Sequence, residues 1–244
     1  MGFSLDFDPY ELAENSDSKG SKKINLAVIY QFCNSNNLQD QMTLPVRLKE
    51  YDVLKWAAQV VTGLKHAHGK GYMIGRLRCK SVWLTSANMD EREGKMPMHA
   101  SICDFRGARK RRIRAGNEGG ETEKELEEED VRHIPKDNYV SPELSAFFTS
   151  NDTSQQLIAE KIDVWCFGCF LFELVTKKVL EDEEAPLWEA GDAALSKVPS
   201  RFGDIVKHIL RRCLKAEPNK RATTEEVRIY KGEVEVTPHS KLCR

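Results

Sequence analysis

Net charge is almost absent from this 244-residue chain: 37 basic side chains against 38 acidic ones leave a formal charge of -1. No global field therefore draws in nucleic acid or an anionic membrane, and neither is expected as a partner. Long apolar runs are missing too. The longest, Val164 to Val175, is about a dozen residues, interrupted by Glu173, which is too short to span a bilayer and suits a buried helix. The opening Met1-Gly2-Phe3-Ser4-Leu5-Asp6 has neither a basic n-region nor an apolar h-region, so no secretory leader is expected. Asp6 stands where N-myristoylation asks for Ser or Thr. Cysteines number seven, an odd count at irregular spacing. Without a leader they read as reduced thiols in a cytoplasmic protein. Cys166-Phe167-Gly168-Cys169 lacks the second pair or His cluster that zinc requires, and it sits inside the apolar run, so a core role is expected. No internal repeat is visible.

What is present is ordinary globular material: 40% hydrophobic and 8% aromatic residues, in a length that holds one sizeable domain or two small ones. Ile24 to Phe32 is β-branched and aromatic, which predicts a strand, ended by the turn Asn34-Ser35-Asn36-Asn37. Over 51–69, Val53, Leu54, Ala57, Ala58, Val60, Val61 and Leu64 recur at helical spacing, with Gly69 and Gly71 as stops. Val82 to Thr85 and His99 to Cys103 predict two short strands joined by a polar turn, Asn88 to Lys95. Lys161 to Lys177 predicts an apolar helix, and Phe202 to Lys215 an amphipathic one. Thr223-Thr224-Glu225-Glu226-Val227 reads as a cap leading into a last short helix, after which the tail is loose. His66 and His68 are expected to pack and cap a helix end. Trp56, Trp83, Trp165 and Trp188 are expected in or partly in the core.

Residues 106–130 are the compositional outlier. Arg106, Arg109, Lys110, Arg111, Arg112 and Arg114 form a basic block, Gly116, Gly119 and Gly120 follow, and Glu121 to Asp130 is almost all acidic. A run this polar buries too little apolar area to offset its ordering entropy, so a mobile, solvated segment is expected. The sharper alternative is a docking or self-pairing segment, in which the basic block folds onto the acidic block or onto a partner.

Five motifs in order, spread over residues 26–228, resemble the catalytic half of a eukaryotic protein kinase. They are the loop Ile74-Gly75-Arg76-Leu77-Arg78-Cys79-Lys80-Ser81, the triplet Asp104-Phe105-Arg106, Ser141-Pro142-Glu143, Asp163-Val164-Trp165-Cys166-Phe167-Gly168, and Leu214 to Arg221 with Pro218. The phrasing of hinge, loop and apolar helix is most similar to the tyrosine-kinase-like group. The resemblance implies an α+β, protein-kinase-like fold: a mainly helical C-lobe with only the last strands and hinge of the N-lobe. Residues 1–50 would supply those strands, hinge and linker, 51–231 the C-lobe with 106–130 as its activation segment, and 232–244 a loose tail. Gln31, Phe32 and Cys33 would be the hinge that meets adenine. Asp163 would be a structural residue, and Arg221 would pair with Glu143. No G-x-G-x-x-G and no V-A-I-K precede Ile24, so a short protein and a fragment of a longer one both stay open.

Measured against that family, the reacting positions are altered. The loop base is Arg76, which cannot accept a proton at neutral pH. The metal-binding Asn is Ser81, shorter and a weaker ligand. Gly75 stands at the loop Arg that reads an activation-segment phosphate, so a phosphate at Thr122 would lack that clamp. No Asp or Glu occurs in residues 72–84, so no shift of register restores a base. Asp104 is either a Mg²⁺ ligand or a leftover carboxylate paired with Arg76 or Arg106. The expectation is a pseudokinase acting as an interaction or regulatory module, with proteins, another kinase or signalling protein among them, as partners. No cofactor is expected, ATP and Mg²⁺ being held weakly at best. The alternative is a divergent ATP-dependent protein kinase, active in a fuller chain.

Overall fold

The computed structural model describes residues 33–45, 47–86, 98–110, 113–115, 121–123, 126, 131–132, 134–150, 157–183, 185–227 and 229. The strand expected over 24–32, hinge residues Gln31 and Phe32, and the tail after Lys231 lie outside the described residues. Contacts divide the chain into Met1–Phe32 and Cys33–Arg244, and the second unit is the one whose structure follows.

Helix α1 spans Leu38–Thr43, with the Asn37 side chain accepting from the Asp40 amide as its N-cap. Helix α2 spans Glu50–Gly69 and buries Val53, Trp56, Ala57, Val60, Val61, Leu64 and His68 along one face. Those residues recur every three or four positions, the period of a helix with one apolar stripe. Lys70 closes it, its amide bonding back to the carbonyls of His66 and Ala67.

Strands are short and come in pairs. β1 (Tyr72–Met73) pairs antiparallel with β4 (Arg109–Lys110). β2 (Val82–Ser86) pairs antiparallel with β3 (Met98–Ile102), in the register Val82 opposite Ile102 and Leu84 opposite Ala100. β5 (Ile113–Ala115) pairs antiparallel with β6 (Glu121–Glu123). The run expected to be mobile thus contains a strand pair. Its backbone groups satisfy one another, and Arg114 lies opposite Thr122 in the register.

Helix α3 (Pro142–Ser150) precedes the central helix α4 (Ala159–Thr176), in which every residue from Ile162 to Val175 is buried. A helix apolar all round must be enclosed on every side. α2 and the later helix α7 (Asp204–Cys213) both pack on it. Each buried Phe or Leu there, such as Phe170 and Leu171, contributes roughly 1.5–3 kcal/mol of transfer free energy. Two short helices, α5 (Leu187–Ala190) and α6 (Asp192–Ser196), fill the path to α7. No helix among the described residues is long and apolar enough to cross a membrane.

Two expectations need correction. Residues 224–226 form a turn, not a helix. The reciprocal cap is there, the Thr223 amide donating to Glu226 Oε2 at 2.8 Å and the Glu226 amide to Thr223 Oγ1 at 3.2 Å, but it closes a turn. Trp83 is 38% exposed, because alternation along β2 turns it away from the core side that holds Val82 and Leu84. Trp56 and Trp165 are buried, and Trp188 is partly buried.

Candidate functional site

Three buried carboxylates build the frame around residues 74–81. Asp163, in the first turns of α4, is fully buried. Its Oδ2 accepts from the Ile74 amide at 2.9 Å and meets His68 Nε2 at 2.7 Å, while Oδ1 accepts from the Gly75 amide at 2.7 Å. One side chain thereby fixes two successive loop amides and the end of α2. His68 is a buried partner of that carboxylate, whereas His66 faces solvent.

Glu173, nearly three turns further along α4, was visible in the sequence only as a break in an apolar run. It is fully buried beneath the loop. Its Oε2 accepts from the Cys79 amide at 2.9 Å, and its Oε1 accepts from the Tyr139 hydroxyl and, at 3.2 Å, from the Leu180 amide. Burial pushes its carboxyl above the usual range, against those donors. Burial and the neighbouring Glu173 likewise raise the Tyr139 hydroxyl. A lone acid inside an apolar helix was the available signal, since such a group must find donors.

The third carboxylate is Glu143 in α3. Arg221 grips it with two parallel bonds, Nη1 to Oε1 at 2.7 Å and Nη2 to Oε2 at 2.9 Å, and both side chains are fully enclosed. The rest of the guanidinium donates to the carbonyls of Lys161 at 2.7 Å and Lys215 at 3.0 Å, and it lies 5.1 Å from the Trp165 ring centroid. This satisfaction on all sides is what a buried ion pair needs to persist.

The reacting edge of the loop is arranged differently. Gly75 has φ +73°, and a Cβ there would stand 2.9 Å from the Gly107 carbonyl oxygen. Gly107 faces the same limit, with a Cβ 2.9 Å from the Ile74 oxygen. The loop and the chain after Asp104 therefore touch backbone to backbone. Arg76 points its Nη2 at Asp137 Oδ2, 2.7 Å away, and at Glu181 Oε1, 3.0 Å away. Arg78 Nη1 donates to the same Glu181 oxygen. Burial, then the charge of Arg76, lowers the affinity of Arg78 for its proton.

Asp104 does not meet Arg76. Arg106 caps it instead, with Nε on Oδ1 at 2.9 Å, Nη2 on Oδ2 at 2.8 Å and its own amide on Oδ1 at 3.2 Å. Those hydrogen bonds hold the Asp104 carboxyl below the usual carboxylate range. Phe105 is 42% exposed. Ser81 is buried, its carbonyl accepting from the Cys103 amide at 2.9 Å, and its Oγ has no hydrogen-bond partner among the described residues.

A hard dication wants about six oxygen ligands. Here one carboxylate has both oxygens under a guanidinium, and the second position offers a single enclosed hydroxyl. No group of three or more His, Cys, Asp or Glu among the described residues could hold a metal ion. Among the described residues, these two positions do not by themselves make a Mg²⁺ site. Of the hinge positions, only Cys33 is described. Its Sγ lies 3.8 Å from Cys103 Sγ, and Cys33 is half-buried. Cys166 and Cys169 are both buried in α4.

A buried apolar helix anchoring a loop, a triplet beginning in Asp-Phe, and an enclosed Arg–Glu pair together define the helical lobe of a phosphotransferase-type fold. A family model described as the protein kinase domain matches residues 18–230, and the chain belongs to that family. It is 24% identical over 217 residues to the serine/threonine-protein kinase ksg1 of Schizosaccharomyces pombe, covering 83% of this chain and 32% of that protein. It is 24% identical to mitogen-activated protein kinase kinase kinase 9 of Arabidopsis thaliana, over 70% of this chain and 19% of that protein. To 3-phosphoinositide-dependent protein kinase 1 of Arabidopsis thaliana the identity is 22%, over 80% of this chain and 36% of that protein. The chain thus spans only about a third, or less, of the length of these curated relatives.

Proposed function

We propose that this protein kinase domain is catalytically impaired and acts as a protein-binding, regulatory module in the cytoplasm. The observation that carries this reading is the double blockade at the reacting edge. Arg76 stands at the base position and is engaged by Asp137 and Glu181, and both Asp104 oxygens are engaged by Arg106. Phosphoryl transfer needs a carboxylate beside the acceptor hydroxyl and cations on the phosphates. The first is replaced by a cation, and the second would have to displace a bidentate guanidinium. Its partners are then proteins, with another kinase or a signalling protein as the first candidates, in keeping with the kinase relatives.

The test is a thermal melt of the purified chain with ATP, with and without Mg²⁺, beside a phosphoryl-transfer assay on a generic protein acceptor. A ligand that binds only the native state adds ~2.7 kcal/mol at a hundred times its dissociation constant. The expected result is a cooperative melt with no Mg²⁺-dependent rise and no transfer. Transfer that is lost on Asp104→Asn would sink the proposal. It would favour the second reading, a divergent ATP-dependent kinase active in a fuller chain. That reading draws support from the retained Asp104 and from a loop frame still anchored on Asp163.

A further inference from the structure

We propose that Cys33 and Cys103 form a modification site, a thiol pair that an oxidant of the peroxide class closes into a disulfide. The two sulfurs lie 3.8 Å apart although 70 positions separate them in the chain. Their closeness is built into the backbone, because both neighbours of β2 carry one of them. On one side, Ser35 donates to the Leu84 carbonyl at 3.2 Å and Leu84 donates to the Asn36 carbonyl at 3.1 Å. Asn34 adds a side-chain bridge to Ser86, accepting from its amide at 2.7 Å. On the other side, β3 pairs with β2 over its whole length, and the Cys103 amide donates to the Ser81 carbonyl. The same strand therefore holds each thiol in place.

A disulfide needs the sulfurs at ~2.05 Å, so closure asks for a shift of under about 2 Å, within reach of side-chain rotation. Cys33 and Cys103 are also the partly exposed thiols of the described residues. Cys79, Cys166, Cys169 and Cys213 are buried, out of reach of a dissolved reagent. In the reaction two S–H bonds and the peroxide O–O bond break, and one S–S bond forms. The sulfurs give two electrons to the peroxide, whose oxygens leave as two waters carrying the thiol protons. Burial and the Cys33 thiol push Cys103 up to about 12, so closure is slow and takes an excess of peroxide. The product ties the chain leading into α1 to the residue just before Asp104. This inference is independent of whether the domain transfers phosphate.

The experiment treats the full chain with hydrogen peroxide, blocks remaining thiols, and maps peptides without reduction. The expected product is a Cys33–Cys103 linked peptide, lighter by two hydrogens and released by dithiothreitol. The oxidised chain should melt higher than the reduced one, because a long loop is closed in the unfolded state. Cys33→Ser and Cys103→Ser should each abolish the linked peptide and the rise. Phenylarsine oxide, which bridges two adjacent thiols, supplies a readout without oxidation. It should protect both cysteines of the wild-type chain from alkylation, and protect neither single variant. Separate oxygen adducts on Cys33 or Cys103, linkage to another cysteine, or no protection by the arsenical would overturn the proposal.

Discussion

The anchors beneath the catalytic loop and the edge of that loop are built from the same chemistry, carboxylates against nitrogen donors, yet they have met opposite fates. Beneath the loop, Asp163, Glu173 and Glu143 are enclosed, and each keeps a full set of donors. At the edge, Arg76 pairs with Asp137, Arg78 with Glu181 and Arg106 with Asp104; Arg78 is itself buried, but each pair is partly open to water. The difference is one of penalty. A buried charge that loses its partner costs several kcal/mol, so substitution there is strongly destabilising. A pair that water reaches can exchange one partner for another at lower cost.

The strongest way to break this comparison is at Arg221. Arg221→Ala should cost ~3–5 kcal/mol, read by chemical denaturation, since it strands Glu143 at full burial. A loss below about 1 kcal/mol, the range of a surface pair, would erase the distinction drawn here. Next comes Gly75→Arg, which supplies the loop arginine that the family resemblance implies at this place. It should destabilise by about 1–3 kcal/mol, because a side chain must be held at φ +73° against the Gly107 carbonyl. A neutral outcome in the same denaturation assay would mean that the loop can re-form around a side chain.

Arg76→Asp is expected to cost about 1 kcal/mol and to leave phosphoryl transfer absent. It removes the cation that Asp137 and Glu181 share and sets a third carboxylate beside them. Activity appearing in this single variant would show that one residue alone separated the domain from catalysis. The smallest effect belongs to Asp104. Its carboxyl is held low by Arg106, so its folded pKa lies beneath its unfolded one, and the stability it contributes is present above the unfolded value. That contribution fades as pH falls through the folded value. The melting-point gap between wild type and Asp104→Asn should therefore be constant near neutrality and narrow below about pH 4, the ordinary Asp range.

The deep anchors were readable in the sequence because their motifs have fixed spacing. The Glu143–Arg221 pair follows from motif positions, which also mark Asp163 as structural; α2 and α7 follow from apolar period, and α4 from its long apolar run. The partners at the edge were not readable. Asp137 and Glu181 lie 61 and 105 positions from Arg76, in no motif, and only the fold brings them there. The expectation that Asp104 would pair with Arg76 or Arg106 could not be narrowed in one dimension. Local geometry decides it, since a residue two positions on can reach both oxygens. Glu173 was missed for the converse reason: its donors come from Cys79, Tyr139 and Leu180, three separate stretches of chain.

The contact of Gly75 on Gly107 has a consequence for substitution. A side chain at Gly75 would meet the Gly107 carbonyl and one at Gly107 the Ile74 carbonyl, so neither position accepts one while the facing backbone stays where it is. The two segments thus work as a latch, which only a joint shift of both backbones opens.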